Sequence, residues 1–216
     1  MFVDHNGTAL GDTECVDGPR GNAETYITTD VRQFVLSTFH PATTPDAWAV
    51  AGFSEGGTCA VHLALRHPDV FGRFAAMAPD REPMIGSPQR TRQELFGGSA
   101  QAMADHDPLV LLARSSYQTT TGWFVTGSKD ARHKRSTHRL AAAAQASGMT
   151  THLRVVAGEH NWQFATRAFR DILPALAGEL DCPHHGTEPT RGVGTPDGGT
   201  PILDMVAHPT PAATAR

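Results

Sequence analysis

What the chain has little of narrows it first. It carries three cysteines, Cys15, Cys59 and Cys182, too few and too scattered for a disulfide framework or for paired zinc-ligand spacing, and they leave the compartment open. Basic residues are not in excess: 18 Lys and Arg stand against 22 Asp and Glu, for a net charge of −4. With no Lys/Arg cluster interleaved with aromatics, the chain lacks the footprint of a nucleic-acid partner. Long apolar runs are missing too. No stretch approaches the ~20 residues of a membrane span. The opening Met1-Phe2-Val3-Asp4-His5-Asn6-Gly7 has neither the basic flank nor the apolar core of a signal peptide. As written, the chain is expected to have no export address and no membrane segment. It contains no internal repeat.

What is present suits one soluble globular domain: 216 residues, 39% of them hydrophobic, can bury a sizeable core. Residues 1–180 alternate apolar segments with turn signals, whereas 181–216 are crowded with Pro, Gly, Thr and His. That last stretch has too few large apolar groups to offset the entropy of ordering it, which predicts a disordered tail. In the first region the pattern predicts a helix over Asn22–Ser37, a buried strand over Ala47–Ala51 turning at Gly52, and a helix over Gly56–His67 closed by Pro68. A strand follows at Phe74–Ala78, then a less regular helical insertion over 80–120. Beyond it come a strand at Trp123–Thr126, a helix at His138–Ser147 stopped by Gly148, and a strand at His152–Val156. The last helix, Trp162–Leu180, should be kinked or split by Pro174. Strands alternating with helices predict an α/β fold whose mostly parallel sheet is covered by helices on both faces.

The turn Gly52-Phe53-Ser54-Glu55-Gly56 fits the G-x-S-x-G nucleophile elbow and lies between a predicted strand and a predicted helix, as that motif requires. A serine held on so sharp a turn needs small residues around it, and Gly52 and Gly56 are expected to meet that need. The helix that follows points free N–H groups and its positive dipole end toward the serine, which makes the Glu55 N–H the first candidate oxyanion donor. A nucleophilic serine also needs a base and an acid to orient the base, in the chain order Ser, Asp or Glu, His. Asp130 and His160 supply that order, each in a loop at the carboxyl end of a predicted strand, where open α/β sheets bind ligands. Asp80, Asp105, Asp107 and Glu159 are competing loop carboxylates. Asp105-His106-Asp107 reads better as a helix cap and turn before Pro108, and Cys182-Pro183-His184-His185 stands alone in the tail, so neither is read as a metal site.

With those residues in hand the chain resembles the putative-esterase family of α/β-hydrolases, which includes esterase D, feruloyl and enterochelin esterases and the mycolyltransferases. The likeness runs over residues 1–178 and is carried by Glu24-Thr25-Tyr26-Ile27-Thr28-Thr29-Asp30, Ala51–Gly57, His67-Pro68-Asp69-Val70-Phe71 and Gly158–Trp162. The resemblance implies an α/β-hydrolase fold with Ser54 as nucleophile, Asp130 as acid and His160 as base. It implies transfer of an acyl group from an ester or thioester to water or to a sugar hydroxyl, with no metal or organic cofactor. It also implies that Thr25–Val35 forms a helix packed beneath the elbow strand.

The chain departs from the family pattern ahead of Phe2-Val3-Asp4, where relatives carry further strands and the loop that gives a second oxyanion donor. The domain is therefore expected to be N-terminally incomplete, with an uncovered sheet edge open to self-association. Two readings follow. One is a serine esterase or acyltransferase acting on small acyl esters; the other is a non-catalytic hydrolase-fold binding domain or inactive fragment without a complete oxyanion hole.

Overall fold

The computed structural model describes residues 1–8 and 11–180; the expected tail, with Cys182, His184 and His185, lies outside the described residues. In chain order the elements are a two-residue antiparallel ribbon of β1 (Asp17–Gly18) and β2 (Gly21–Asn22), α1 (Ala23–Thr25), a π-helical stretch Tyr26–Val31, and α2 (Arg32–Phe39). Then come β3 (Ala49–Phe53), α3 (Glu55–Arg66), β4 (Arg73–Met77), α4 (Pro88–Phe96), α5 (Ala100–Asp105) and α6 (Pro108–Arg114). The order closes with β5 (Thr121–Gly127), α7 (Ala131–Ala146), β6 (Thr150–Val156) and α8 (Trp162–Gly178).

Strands β3, β4, β5 and β6 pair in that order, all parallel, with Val50 opposite Phe74, Phe74 opposite Gly122 and Gly122 opposite Thr151. Parallel neighbours need a crossover, and each gap in the sheet order is filled by helix: α3, then α4 to α6, then α7. The two-residue period of a strand sorts the core. Phe74, Ala76 and Phe124 pack on one face with Leu63, Ala64, Leu140 and Ala144 of α3 and α7. Ala75, Met77, Trp123 and Val125 pack on the other with Phe164, Ala168, Ile172 and Leu176 of α8. Because β4 and β5 are buried on both faces they read as unbroken apolar runs. This is the α/β-hydrolase architecture expected from the sequence.

Three local features differ from the sequence reading. The segment expected to be one helix over 22–37 is helical to Phe39 but passes through the π-helical stretch, and α2 buries no residue. Ile27 reaches the core, while Tyr26, Phe34 and Phe39 stay at the surface. Pro174 sits inside α8 without dividing it. Cys15 and Cys59, 44 residues apart, form a disulfide with both residues buried; no spacing pattern announces a bridge between a loop and a helix this far apart. Strand β3 borders the sheet, its outer edge unpaired among the described residues.

Candidate active site

Ser54 joins the end of β3 to the start of α3 with φ 57° and ψ −119°, a backbone conformation that an L-residue holds only when its surroundings enforce it. Its N–H donates to Met77 O on β4 at 2.9 Å. Glycine makes the turn possible, though not at both positions expected. A Cβ on Gly52 would come within 2.1 Å of Gly56 O, and one on Gly57 within 2.8 Å of Met77 O, whereas a Cβ on Gly56 would meet nothing within 4 Å. The constrained pair is therefore Gly52 and Gly57. The turn leaves Glu55 as the first residue of α3, its N–H among those the helix itself cannot satisfy.

The structure brings the sequence-derived site residues together at the carboxyl edge of the sheet. Ser54 Oγ lies 2.8 Å from His160 Nε2, and His160 Nδ1 lies 2.8 Å from Asp130 Oδ2. Asp130 follows β5 and caps α7, accepting from the His133 N–H at 3.2 Å. His160 follows β6. The two loops run against each other, with Lys129 N–H donating to Gly158 O at 2.9 Å; a Cβ on Gly127 would come within 2.6 Å of that oxygen. The Phe53 ring, 4.7 Å from the His160 ring, backs the imidazole.

Asp130 is nearly buried. Burial alone would raise its pKa, but hydrogen bonds from His133 and His160 outweigh it and hold the carboxyl below the usual carboxylate range. At neutral pH the site therefore contains an ionised carboxylate bonded to the His160 ring, which in turn faces the Ser54 hydroxyl. Of the competing carboxylates, Asp107 caps α6 and pairs with Arg81, Asp105 pairs with Arg114, and Glu159 lies at the surface near Lys129.

Comparison with known proteins gives the family and the fold. Residues 16–177 fit the family model described as Putative esterase. The chain belongs to that family. An uncharacterised protein of Corynebacterium glutamicum is 31% identical over 169 residues, which make up 76% of this chain and 40% of that protein. The chain thus spans about two fifths of the length of the curated relative it matches. An S-formylglutathione hydrolase of Agrobacterium tumefaciens superposes with a TM-score of 0.63 at 18% identity, covering 77% of this chain and 62% of the other. Fluorophosphonate-binding serine hydrolase F of Staphylococcus aureus gives 0.66 at 16% identity, covering 81% and 69%. At these identities the likeness to the solved structures is one of fold.

Sequence reading missed what surrounds this esterase-family site on two sides. One is His133, paired with Asp80, which the sequence offered only as a competing acid: His133 Nδ1 reaches Asp130 Oδ1 at 2.8 Å, and its Nε2 faces Asp80 Oδ1 at 3.6 Å. The signal available was a histidine three residues after the Asp that caps a helix, a spacing that puts both on one turn. The other is the N-terminal segment. His5 Nε2 donates to Glu55 Oε1 at 3.1 Å and Asn6 Nδ2 to Oε2 at 3.4 Å, so residues 5 and 6 close over the first residue of α3. Behind them Glu14 and Cys15 both have positive φ, 49° and 55°, and Glu14 is buried with Oε2 unpartnered among the described residues. Burial, reinforced by the nearby charges of Asp12 and Glu55, pushes the Glu14 carboxyl up to about 9.

Among the described residues two groups bring potential metal-ligand atoms within 4.8 Å of one another, His5 with Cys15 and Cys59, and Asp130 with His133 and His160. In the first the two sulfurs are bonded to each other. In the second the three side chains are engaged with one another by hydrogen bonds. Among the described residues no helix is long and apolar enough to cross a membrane.

Proposed function

We propose that this chain carries the nucleophilic core of a serine esterase that cleaves or transfers the acyl group of a small carboxylic ester or thioester. The observation that carries the reading is the unbroken line from Ser54 Oγ to His160 Nε2 and from His160 Nδ1 to Asp130 Oδ2, both links 2.8 Å long. Membership of the family supports it, as does the likeness in fold to two solved hydrolases.

In this mechanism Ser54 Oγ bonds to the acyl carbon as its proton passes to His160 Nε2, and the carbonyl electron pair moves onto oxygen. The Glu55 N–H at the start of α3 donates to that oxyanion, helped by the helix dipole. Collapse expels the alcohol or thiol, which takes the proton from His160. Water, or an acceptor hydroxyl in a transferase, then repeats the sequence in reverse to free Ser54. Asp130 keeps His160 in the tautomer that presents a bare Nε2 to Ser54. The buried disulfide further favours an oxidising compartment as the place of work.

The test is turnover of p-nitrophenyl acetate together with covalent labelling by a fluorophosphonate, each compared with Ser54→Ala. Turnover should fall on the order of 10^6-fold in kcat and labelling should vanish. A folded wild-type chain that neither turns over nor labels would leave the non-catalytic binding domain as the reading.

A further inference from the structure

Asp130 has two carboxylate oxygens, and the line to Ser54 uses one. The other, Oδ1, accepts twice from a single residue, at 2.8 Å from His133 Nδ1 and at 3.2 Å from the His133 backbone N–H. The backbone contact is ordinary capping of α7. The ring contact is not needed for a cap, and it comes from a histidine that is 8% exposed. The ring lies 3.9 Å from that of His160 and is tilted from it by 18°, so the two imidazoles stack while sharing one carboxylate.

The contacts do not stop at His133. Its Nε2 faces Asp80 Oδ1, which also accepts from Arg132 at 2.9 Å. The Asp80 N–H donates to Thr58 Oγ1 at 3.0 Å, and Thr58 Oγ1 donates to Ser54 O at 3.2 Å. The circuit thus leaves Ser54 by its side chain, passes through His160, Asp130, His133, Asp80 and Thr58, and returns to Ser54 by its carbonyl. It connects the loops after β3, β4, β5 and β6. A network in which each member constrains the next holds angles more tightly than isolated pairs do.

We propose that His133 and Asp80 are positioning residues for the acid: His133 fixes Asp130 through Oδ1 so that Oδ2 meets His160, and Asp80 holds His133 in the orientation that donates from Nδ1. This rests on the reading of Ser54, His160 and Asp130 as the reacting line. The groups that face His133 are Asp80 from the loop after β4, Asp130 ahead of α7 and His160 from the loop after β6, with Arg132 beside it on Asp80. Asp80 first and Asp130 next favour its imidazolium against burial, raising its pKa. The polar contacts of its ring are to the two carboxylates and none is to Ser54 or His160 among the described residues, so His133 orients the acid and does not relay.

The test compares His133→Ala, His133→Asn and Asp80→Asn with the wild type. Losing the anchor should lower kcat of His133→Ala about 100-fold, with KM changed less than about twofold, because misorientation harms the reacting geometry more than binding. Asn offers Nδ2 in place of Nδ1 and should recover kcat to within about fivefold of wild type. Asp80→Asn should lower kcat as well and add little to His133→Ala, since residues acting through one another are not additive. Independently of turnover, the low-field proton resonance of His160 Nδ1 should be sharp in the wild type and in His133→Asn, and broadened or lost in His133→Ala. An unchanged kcat and resonance in His133→Ala would overturn the proposal, as would a loss that Asn does not restore. Absence of all turnover and labelling in the wild type would instead remove the reading of the reacting line, with the resonance still deciding what His133 does to His160.

Discussion

The two flanks of Ser54 are built by different means. On the β5–β6 side, the loops carrying Asp130 and His160 leave adjacent parallel strands, run against each other through backbone hydrogen bonds, and meet in the pairing of the exposed His160 with the buried Asp130 and His133. On the other side, residues 1–8 and 11–22 hold little regular structure. They are kept in place by a disulfide, by hydrogen bonds from His5 and Asn6 to Glu55, and by two buried residues at positive φ. The first flank positions groups by topology, the second by cross-links. The first should therefore fail by losing chemistry and the second by losing stability.

The largest expected effect breaks the first flank at its centre. In Asp130→Asn the new amide can still accept from His133 through its oxygen, but its NH2 would face His160 Nδ1. That nitrogen would then have to accept, leaving the proton on Nε2, where it cannot take one from Ser54. A wrong-tautomer imidazole typically costs about 10^4-fold in kcat. Steady-state turnover of a p-nitrophenyl ester, with circular dichroism to confirm folding, measures it; a loss below about tenfold would pass the role of acid to another carboxylate.

The same contrast decides what was legible in the sequence. Ser54, Asp130 and His160 could be read because their meeting needs only the order of strands: each follows a strand of one parallel sheet, so their loops fall on one edge. The strands β4 and β5 were legible as apolar runs because both of their faces are buried. His133 was passed over as one of 12 histidines, since nothing local separates a ring that turns toward its own cap from one that faces water. Gly56 was credited with a steric role that belongs to Gly57, because the motif fixes spacing while the clash depends on where β4 passes. The Cys15–Cys59 bridge and the contacts of Glu55 depend on chain separations of 44 to 50 residues, for which one sequence holds no local signal.

The second flank is broken by removing its cross-link. Opening a loop of 44 residues returns about 4 kcal/mol of conformational entropy to the unfolded chain. Cys15→Ala with Cys59→Ala should accordingly lose about that much in urea unfolding and melt about 8–16 °C lower. Alkylation of the wild type before reduction should leave Cys15 and Cys59 unmodified, and modification of both after reduction should accompany the same loss. Equal stability with and without reductant would show that the hydrogen bonds, the Arg20–Glu94 pair and the packing of Val16 hold this flank in place without the disulfide.

Glu14 sharpens the comparison by its sign. Its carboxyl, pushed up to about 9 in the fold, keeps its proton where the unfolded chain, with a pKa near 4.5, has released it. Below pH 4.5 both states are protonated and the group contributes nothing to pH dependence. Between 4.5 and 9 the folded state binds more protons than the unfolded one, so stability falls as pH rises, by up to about 1.4 kcal/mol per unit. A glutamine keeps the shape and cannot ionise, which removes that slope. Glu14→Gln should therefore match the wild type near pH 4.5 and exceed it by about 4 kcal/mol at pH 8, or about 8–16 °C in Tm. Asp130 runs the opposite way: its folded pKa is lowered, so its contribution is present above its unfolded pKa and is lost as pH falls through the folded one. A difference between Glu14→Gln and wild type that stays flat from pH 4.5 to 8 would mean that Glu14 finds a cationic partner or water, and that the cross-linked flank is no less well matched to its charges than the flank built on the sheet.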